Sequence, residues 1–262
     1  MNLEFYKYHG AGNDFIMIDC RNLDESVFDR NRVEFLCNRH LGIGADGLIL
    51  LLNHNDAAFR MKYFNSDGEE GTMCGNGGRC ITAFARDLGV IDGDTGFVGV
   101  DGLHEAKILP GGLISLKMID VGGVKTLEDG YIVQTGSPHF VTFRNSVAEI
   151  DVYNEGRQIR HQSRFANDGV NVNFVETLSP GSIRMRTFER GVENETLACG
   201  TGSVAAAIST WFRQKTDKIS YSIEAPGGKL KVSFTPQKNG SFTEVWLEGP
   251  AVYVFRGSVK IK

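Results

Sequence analysis

Two short stretches, TMCGNGGRC at Thr72–Cys80 and TLACGTGS at Thr196–Ser203, each set a cysteine directly ahead of glycine-rich residues that open a helical pattern. A free thiol titrates near pH ~8.5, and a helix N-terminus lowers that to roughly 3.5–7.5 because its N–H groups and macrodipole stabilise the thiolate. Such a sulfur acts as a nucleophile or a base. The N–H groups beside it suit a carboxylate and the enolate-like charge that develops when an α-proton leaves. Two such thiols on opposite faces of one carbon do what neither does alone, since one removes a proton and the other returns one with inversion. That requires one thiolate and one thiol at once, which two coupled like groups supply.

The two cysteines belong to a repeat. FRMKYF (Phe59–Phe64) resembles IRMRTF (Ile183–Phe188), and Cys74 and Cys199 follow those segments by 10 and 11 positions. Upstream, AGNDFIMI (Ala11–Ile18) parallels TGSPHFVTF (Thr135–Phe143), and Gly12 to Phe64 and Gly136 to Phe188 span the same 52 positions. An ordered series with near-constant spacing indicates duplication into two related α/β halves, each presenting one cysteine. FRMKYF and IRMRTF read as strands bounded by turn residues. After Cys74, apolar Ile81, Phe84, Ala85 and Leu88 recur at helical spacing and Gly89 is the expected stop. After Cys199, TGSVAAAISTWF is apolar almost all round, as in a helix enclosed by sheet.

The other three of five cysteines, Cys20, Cys37 and Cys80, read as small buried packing residues, and the odd set without a CxxC pair fits reduced thiols rather than a disulfide framework or a zinc site. The expectation is therefore a cytoplasmic protein with no metal. A formal charge of −4 argues against a general nucleic-acid or membrane-surface binder. The start, MNLEFYKYHGAG, lacks a secretory pattern, and the longest apolar run, Leu48–Leu52, is too short to cross a bilayer. GIGADG (Gly42–Gly47) formally matches GxGxxG, but it follows helix-like RVEFLCNRH and opens strand-like LILLL, the reverse of a dinucleotide fingerprint. A turn is expected there.

HGAGNDF, GIGADGLI, FNSDG followed by MCGNGGRC, GSPHFV, VNVNFVE and ERGVENETLACGTG, in this order across nearly the whole chain, resemble the diaminopimelate epimerase family. The resemblance implies an isomerase without cofactor that converts LL- to meso-diaminopimelate for lysine and peptidoglycan precursors, and it implies a homodimer. It also implies an α/β (α+β) fold of two pseudo-symmetric domains, each a curved mixed sheet around a central helix, with the active site in the cleft between them. Carried over by position, Cys74 and Cys199 are the acid/base thiols, and His139 and Glu189 tune them. Gly75, Asn76, Gly200 and Thr201 would hold the reacting carboxylate end, and Asn13, Asn65, Asn171, Glu189 and Arg190 would bind the rest of the substrate. An arginine fork for a carboxylate, a glutamate for an ammonium and asparagines for both suit a doubly zwitterionic ligand.

The chain departs from the family pattern at Ser137, where many members have asparagine, at Gly47, where some have glutamine, and by one extra residue before Cys199. Expected domain limits are 1–118, completed by 250–262, and 119–249. Competing readings are a Cys–His hydrolase using Cys74 with His9, His40 or His139, a thiol-bearing binding protein, and a two-thiol racemase of proline or hydroxyproline. The hydrolase leaves the duplicated cysteine unexplained.

Overall fold

The computed structural model describes residues 2–165 and 169–261. The chain divides into two compact units, residues 1–116 with 249–262 and residues 117–248. In the first unit, β1 (Asn2–Gly10) and β2 (Asn13–Asp19) form a hairpin whose two central residues, Ala11 and Gly12, both have positive φ. The turn places Asn13 at the first position of β2. Helix α1 (Arg30–Cys37), capped by the Asp29 carboxylate on the Arg32 N–H, then crosses to β3 (Gly47–Leu52), which pairs parallel with β2. All six residues of β3 are buried, as a central strand covered on both faces requires.

β4 (Arg60–Asn65) pairs antiparallel with β3, and α2 (Gly75–Asp87) leads to β5 (Thr95–Gly99), which pairs parallel with β4. β6 (Gly102–Ile108) and β7 (Leu113–Lys117) continue antiparallel. Every residue of α2 from Gly75 to Ala85 is buried, and the helix touches β1, β2, β3, β4 and β6. Its end matches the expected stop: Gly89 at φ 69° donates to the Arg86 carbonyl and Val90 to that of Ala85, satisfying the last turn.

The second unit repeats this plan. β8 (Val124–Leu127), β9 (Gly130–Gln134) and β10 (Pro138–Phe143) run antiparallel, α3 (Val152–Arg160) crosses, and β11 (Asn171–Ser179) pairs parallel with β10. β12 (Ser182–Glu189) pairs antiparallel with β11 and with the short β13 (Asn194–Thr196). Helix α4 (Gly200–Gln214) leads to β14 (Ser220–Ala225), parallel to β12, and β15 (Gly228–Pro236) and β16 (Phe242–Pro250) follow antiparallel. α4 is buried from Gly202 through Thr210 and touches β8 to β12, β14 and β15. Strand β17 (Val252–Lys260) then pairs antiparallel with β1 in the first unit.

Strand order and direction thus agree: β17–β1–β2–β3–β4–β5–β6 in one unit corresponds to β8–β9–β10–β11–β12–β14–β15 in the other. Each mixed sheet wraps one enclosed helix, α2 or α4, and carries a second helix on its outer face. Val33 and Leu36 of α1 pack on Ile16, Ile18, Leu48 and Leu50, and Val152 of α3 packs with Phe140, Val172, Phe174 and Phe188. The GIGADG segment is the turn from α1 into β3, although α1 stops at Cys37, three residues short of the helix-like sequence; the Asn38 side chain instead accepts from the His40 and Leu41 N–H groups and shapes the turn.

Candidate active site

Cys74 and Cys199 occupy equivalent positions, each the N-cap of its unit's enclosed helix in extended conformation (φ −103° and −119°). The first intrahelical bonds, Gly78 N–H to the Cys74 carbonyl and Ser203 N–H to the Cys199 carbonyl, begin after the glycine-rich turn. The amides of Gly75, Asn76, Gly200 and Thr201 therefore belong to helix starts, where N–H groups have no intrahelical acceptor. The other cysteines are packing residues: Cys20, Cys37 and Cys80 are buried, and burial pushes their thiols up to about 11, 12 and 12.

In the first unit a directional chain of hydrogen bonds runs through the helix start. Asn13 Nδ2 donates to Asp46 Oδ2 at 2.7 Å, so Asn13 Oδ1 faces the other way and accepts from Asn76 Nδ2 at 3.1 Å and from the Cys74 thiol at 3.7 Å. Asn76 Oδ1 in turn accepts from Arg79 at 2.8 Å, and a second Arg79 nitrogen donates to the Gly75 carbonyl at 3.2 Å. A carboxylate at one end accepts only and a guanidinium at the other donates only, so both amides have one orientation. Asp46 is itself held by Arg39 at 2.7 Å, and Arg39 also forks onto Asp14. Burial acts to push the Asp14 carboxyl up, but Arg39 and Lys7 outweigh it and hold Asp14 at about 2.

Arg79 is fully buried, and that burial holds its guanidinium below the usual range while Cys80 and Cys74, when charged, act in the opposite direction. Asn65 is not part of this chain. It ends β4, and its Oδ1 accepts from the Tyr63 hydroxyl at 2.9 Å.

In the second unit the sulfur is the acceptor. Cys199 Sγ receives the Gly202 N–H at 3.4 Å and lies 3.5 Å from the Thr201 hydroxyl. Thr201 Oγ1 is 3.0 Å from His139 Nε2, and His139, fully buried, also contacts Ser137 Oγ at 3.0 Å through Nε2 and Asn173 Nδ2 at 3.0 Å through Nδ1. Burial pulls the imidazole pKa down to about 3, with the Arg190 charge acting in the same direction, so the ring is neutral at neutral pH.

Asn171 Oδ1 accepts the Arg190 N–H at 2.9 Å, and its Nδ2 donates to Ser137 Oγ and the Pro138 carbonyl, each at 3.2 Å. Ser137 thus links His139 to Asn171. Glu189 closes β12 and accepts from Thr196 of β13 at 2.8 Å, and Arg190 beside it is exposed. The extra residue before Cys199 has a structural counterpart. The first unit has only an isolated Phe64–Glu70 bridge after β4, whereas the second has the three-pair β12–β13 ladder.

Sequence reasoning missed Asp46, Arg79 and Asn173, which hold these groups without bearing reactive chemistry themselves. Arg79 carried a signal, since it lies at i+3 from Asn76, on the same helix face. Asn173 lies two residues from Asn171 on β11 and shares its face of the sheet.

The family model for diaminopimelate epimerase matches residues 5–108 and 131–254. The chain belongs to the diaminopimelate epimerase family. It is 46% identical over 260 residues to the diaminopimelate epimerase of Flavobacterium psychrophilum, covering 98% of this chain and 100% of that one. It is 42% identical over 264 residues to that of Chlorobaculum tepidum, covering 96% and 99%. Among solved structures, a phenazine biosynthesis protein of the PhzF family from Bacillus anthracis matches at TM-score 0.79 over the full length of both chains, with 16% identity, a likeness of fold alone.

Proposed function

We propose that this chain is a diaminopimelate epimerase that interconverts LL- and meso-diaminopimelate by a two-base proton transfer, with Cys74 and Cys199 as the two acid/base groups and no cofactor. The observation that carries the reading is the pair of equivalent N-cap cysteines with opposite hydrogen-bond roles. Cys74 donates to Asn13 Oδ1, and Cys199 accepts from Gly202. A sulfur that accepts is prepared to take the α-proton, and a sulfur that donates holds one to give. In the reverse direction the roles exchange. The electrons of the broken C–H bond pass into the enolate-like carboxylate, whose charge the N–H groups of Gly75, Asn76, Gly200 and Thr201 stabilise.

Asn13, Asn65, Asn171, Glu189 and Arg190 are read as substrate contacts, Arg190 for the distal carboxylate and Glu189 for an ammonium. His139, kept neutral, and Glu189 support the thiol chemistry. The protein is read as cytoplasmic, in keeping with five free cysteines, and as a homodimer that binds neither nucleic acid nor membrane. No helix among the described residues is long and apolar enough to cross a membrane. Support for the dimer comes from β17, where Val252, Tyr253, Val254 and Phe255 are consecutive and each is more than 40% exposed. Sedimentation of the protein before and after Phe255→Asp tests that face.

The activity is tested by incubating the protein with LL-diaminopimelate, with proline as the control substrate. Formation of the meso isomer without turnover of proline is expected. Racemisation of proline, or hydrolysis products, would overturn the assignment.

A further inference from the structure

Asn173 is fully buried, carries no reactive chemistry and yet touches four of the groups behind Cys199. Its Nδ2 lies 3.2 Å from the Phe140 carbonyl and 3.4 Å from the Asn171 carbonyl, and its Oδ1 accepts from the Thr187 hydroxyl at 3.0 Å. Carbonyl oxygens only accept, so a flipped amide would set oxygen against oxygen twice and this orientation is enforced. A side chain on the helix residue Gly202 would meet Asn173 Oδ1 at 2.5 Å, so the amide also fills the space that glycine leaves beside Cys199.

The contact with His139 is the informative one. Asn173 Nδ2 aims a hydrogen at His139 Nδ1 at 3.0 Å, which leaves Nδ1 as a lone pair and puts the proton of the neutral ring on Nε2. Asn171 Nδ2 also lies 3.4 Å from Nε2, but its two hydrogens have nearer acceptors in Ser137 Oγ and the Pro138 carbonyl at 3.2 Å. Nε2–H then points to the Thr201 and Ser137 hydroxyls, each at 3.0 Å. A Thr201 oxygen that accepts from His139 turns its own hydrogen toward Cys199 Sγ at 3.5 Å.

We propose that Asn173 is a positioning residue that locks His139 as the Nε2–H tautomer and thereby commits the Thr201 hydroxyl to donate to the Cys199 sulfur. The inference rests on the two-thiol reading of the site, but its decisive readout, the tautomer, does not depend on turnover. With the opposite tautomer, Nε2 would accept from Thr201 and Cys199 would lose that donor. The groups that face the relay are Arg190, Ser137 and Asn171 on the histidine and Gly202 N–H on the sulfur.

The test is nitrogen-15 NMR of histidine-labelled protein, with the His139 signals assigned by their loss in His139→Gln. A protonated Nε2 and an unprotonated Nδ1, unchanged between about pH 5 and 8, are expected in the wild type. In Asn173→Asp, a carboxylate replaces the donor, the proton moves to Nδ1, kcat falls about tenfold with KM little changed, and the thiolate limb of the kcat profile moves to higher pH. Thr201→Val should lower kcat and shift the same limb while leaving the tautomer intact, and adding Asn173→Asp to it should cost little more kcat. A wild-type ring protonated on Nδ1 would overturn the proposal even if the Asp variant does not fold. So would a Thr201→Val enzyme with the wild-type kcat and pH profile. Absence of epimerase activity in a wild type that shows the expected tautomer would instead strike the two-thiol reading alone.

Discussion

The two half-sites share a strand order, an enclosed helix and an N-cap cysteine, but they hold the sulfur in opposite ways. In the first, the Cys74 side chain does not cap its helix and gives its hydrogen to Asn13. In the second, Cys199 caps its own helix by accepting from Gly202 and stands next to the Thr201 hydroxyl. The supporting groups differ accordingly: an ionic frame of Asp46 and Arg79 directs two amides in the first half, whereas a neutral network of asparagines, hydroxyls and a histidine does so in the second. Duplication supplied two equivalent positions, and divergence around them gave the two sulfurs dissimilar hydrogen-bond settings.

The largest effect should come from removing either sulfur. Cys74→Ala and Cys199→Ala should each lower epimerisation by ~10³-fold or more with unchanged circular dichroism. Each single variant should still exchange the α-proton of the isomer that its remaining thiol faces, without inverting it. Full turnover by either would remove the need for two halves.

Next in size is the ionic frame. Arg79→Met leaves the Asn76 carbonyl and the Gly75 carbonyl without their donor, and kcat/KM should fall about 10–100-fold, in line with the ~1.5–3 kcal/mol of a hydrogen bond to a charged group. Arg79→Lys keeps the charge without the fork and should fall between. Asp46→Asn, which frees Asn13 to flip, should cost about tenfold, again measured as kcat/KM. If these variants match wild type while those around His139 do not, the first half needs no such frame.

The pH response of stability offers a subtler contrast. His139 titrates at about 3 when folded, below the ordinary value of 6.5. Its unfolded form therefore binds the proton first, so the stability this residue contributes is fully present above about pH 6.5 and declines as pH falls from there toward about 3. Urea unfolding of the wild type should be more acid-sensitive across that window than that of His139→Gln. Smallest of all, Cys80→Ala and Cys37→Ala should leave kcat unchanged, with a stability loss of about 1–2 kcal/mol by urea titration.

How much of this was legible in the chain follows the same division. The repeat, both cysteine-led helices, the strands β4 and β12, and the turn at GIGADG were readable, since each depends on local periodicity, glycine placement or spacing. The positioning residues were not, because Asp46, Arg79 and Asn173 gain meaning only from what folding brings beside them. Asp46 reaches Asn13 across 33 positions of sequence, and Asn173 reaches His139 across 34. The helix α1 ended early for a related reason: the Asn38 side chain competes for the turn's backbone N–H groups, a contest that apolar spacing does not register.

The central claim, that two thiols act on opposite faces of one carbon, is tested most directly by a brief reaction of LL-diaminopimelate in deuterated water with mass analysis of both isomers. The account predicts deuterium at the inverted α-carbon of the meso product while unreacted LL substrate keeps its protium. Product formed with retained protium, or substrate that gains deuterium as fast as product appears, would contradict it.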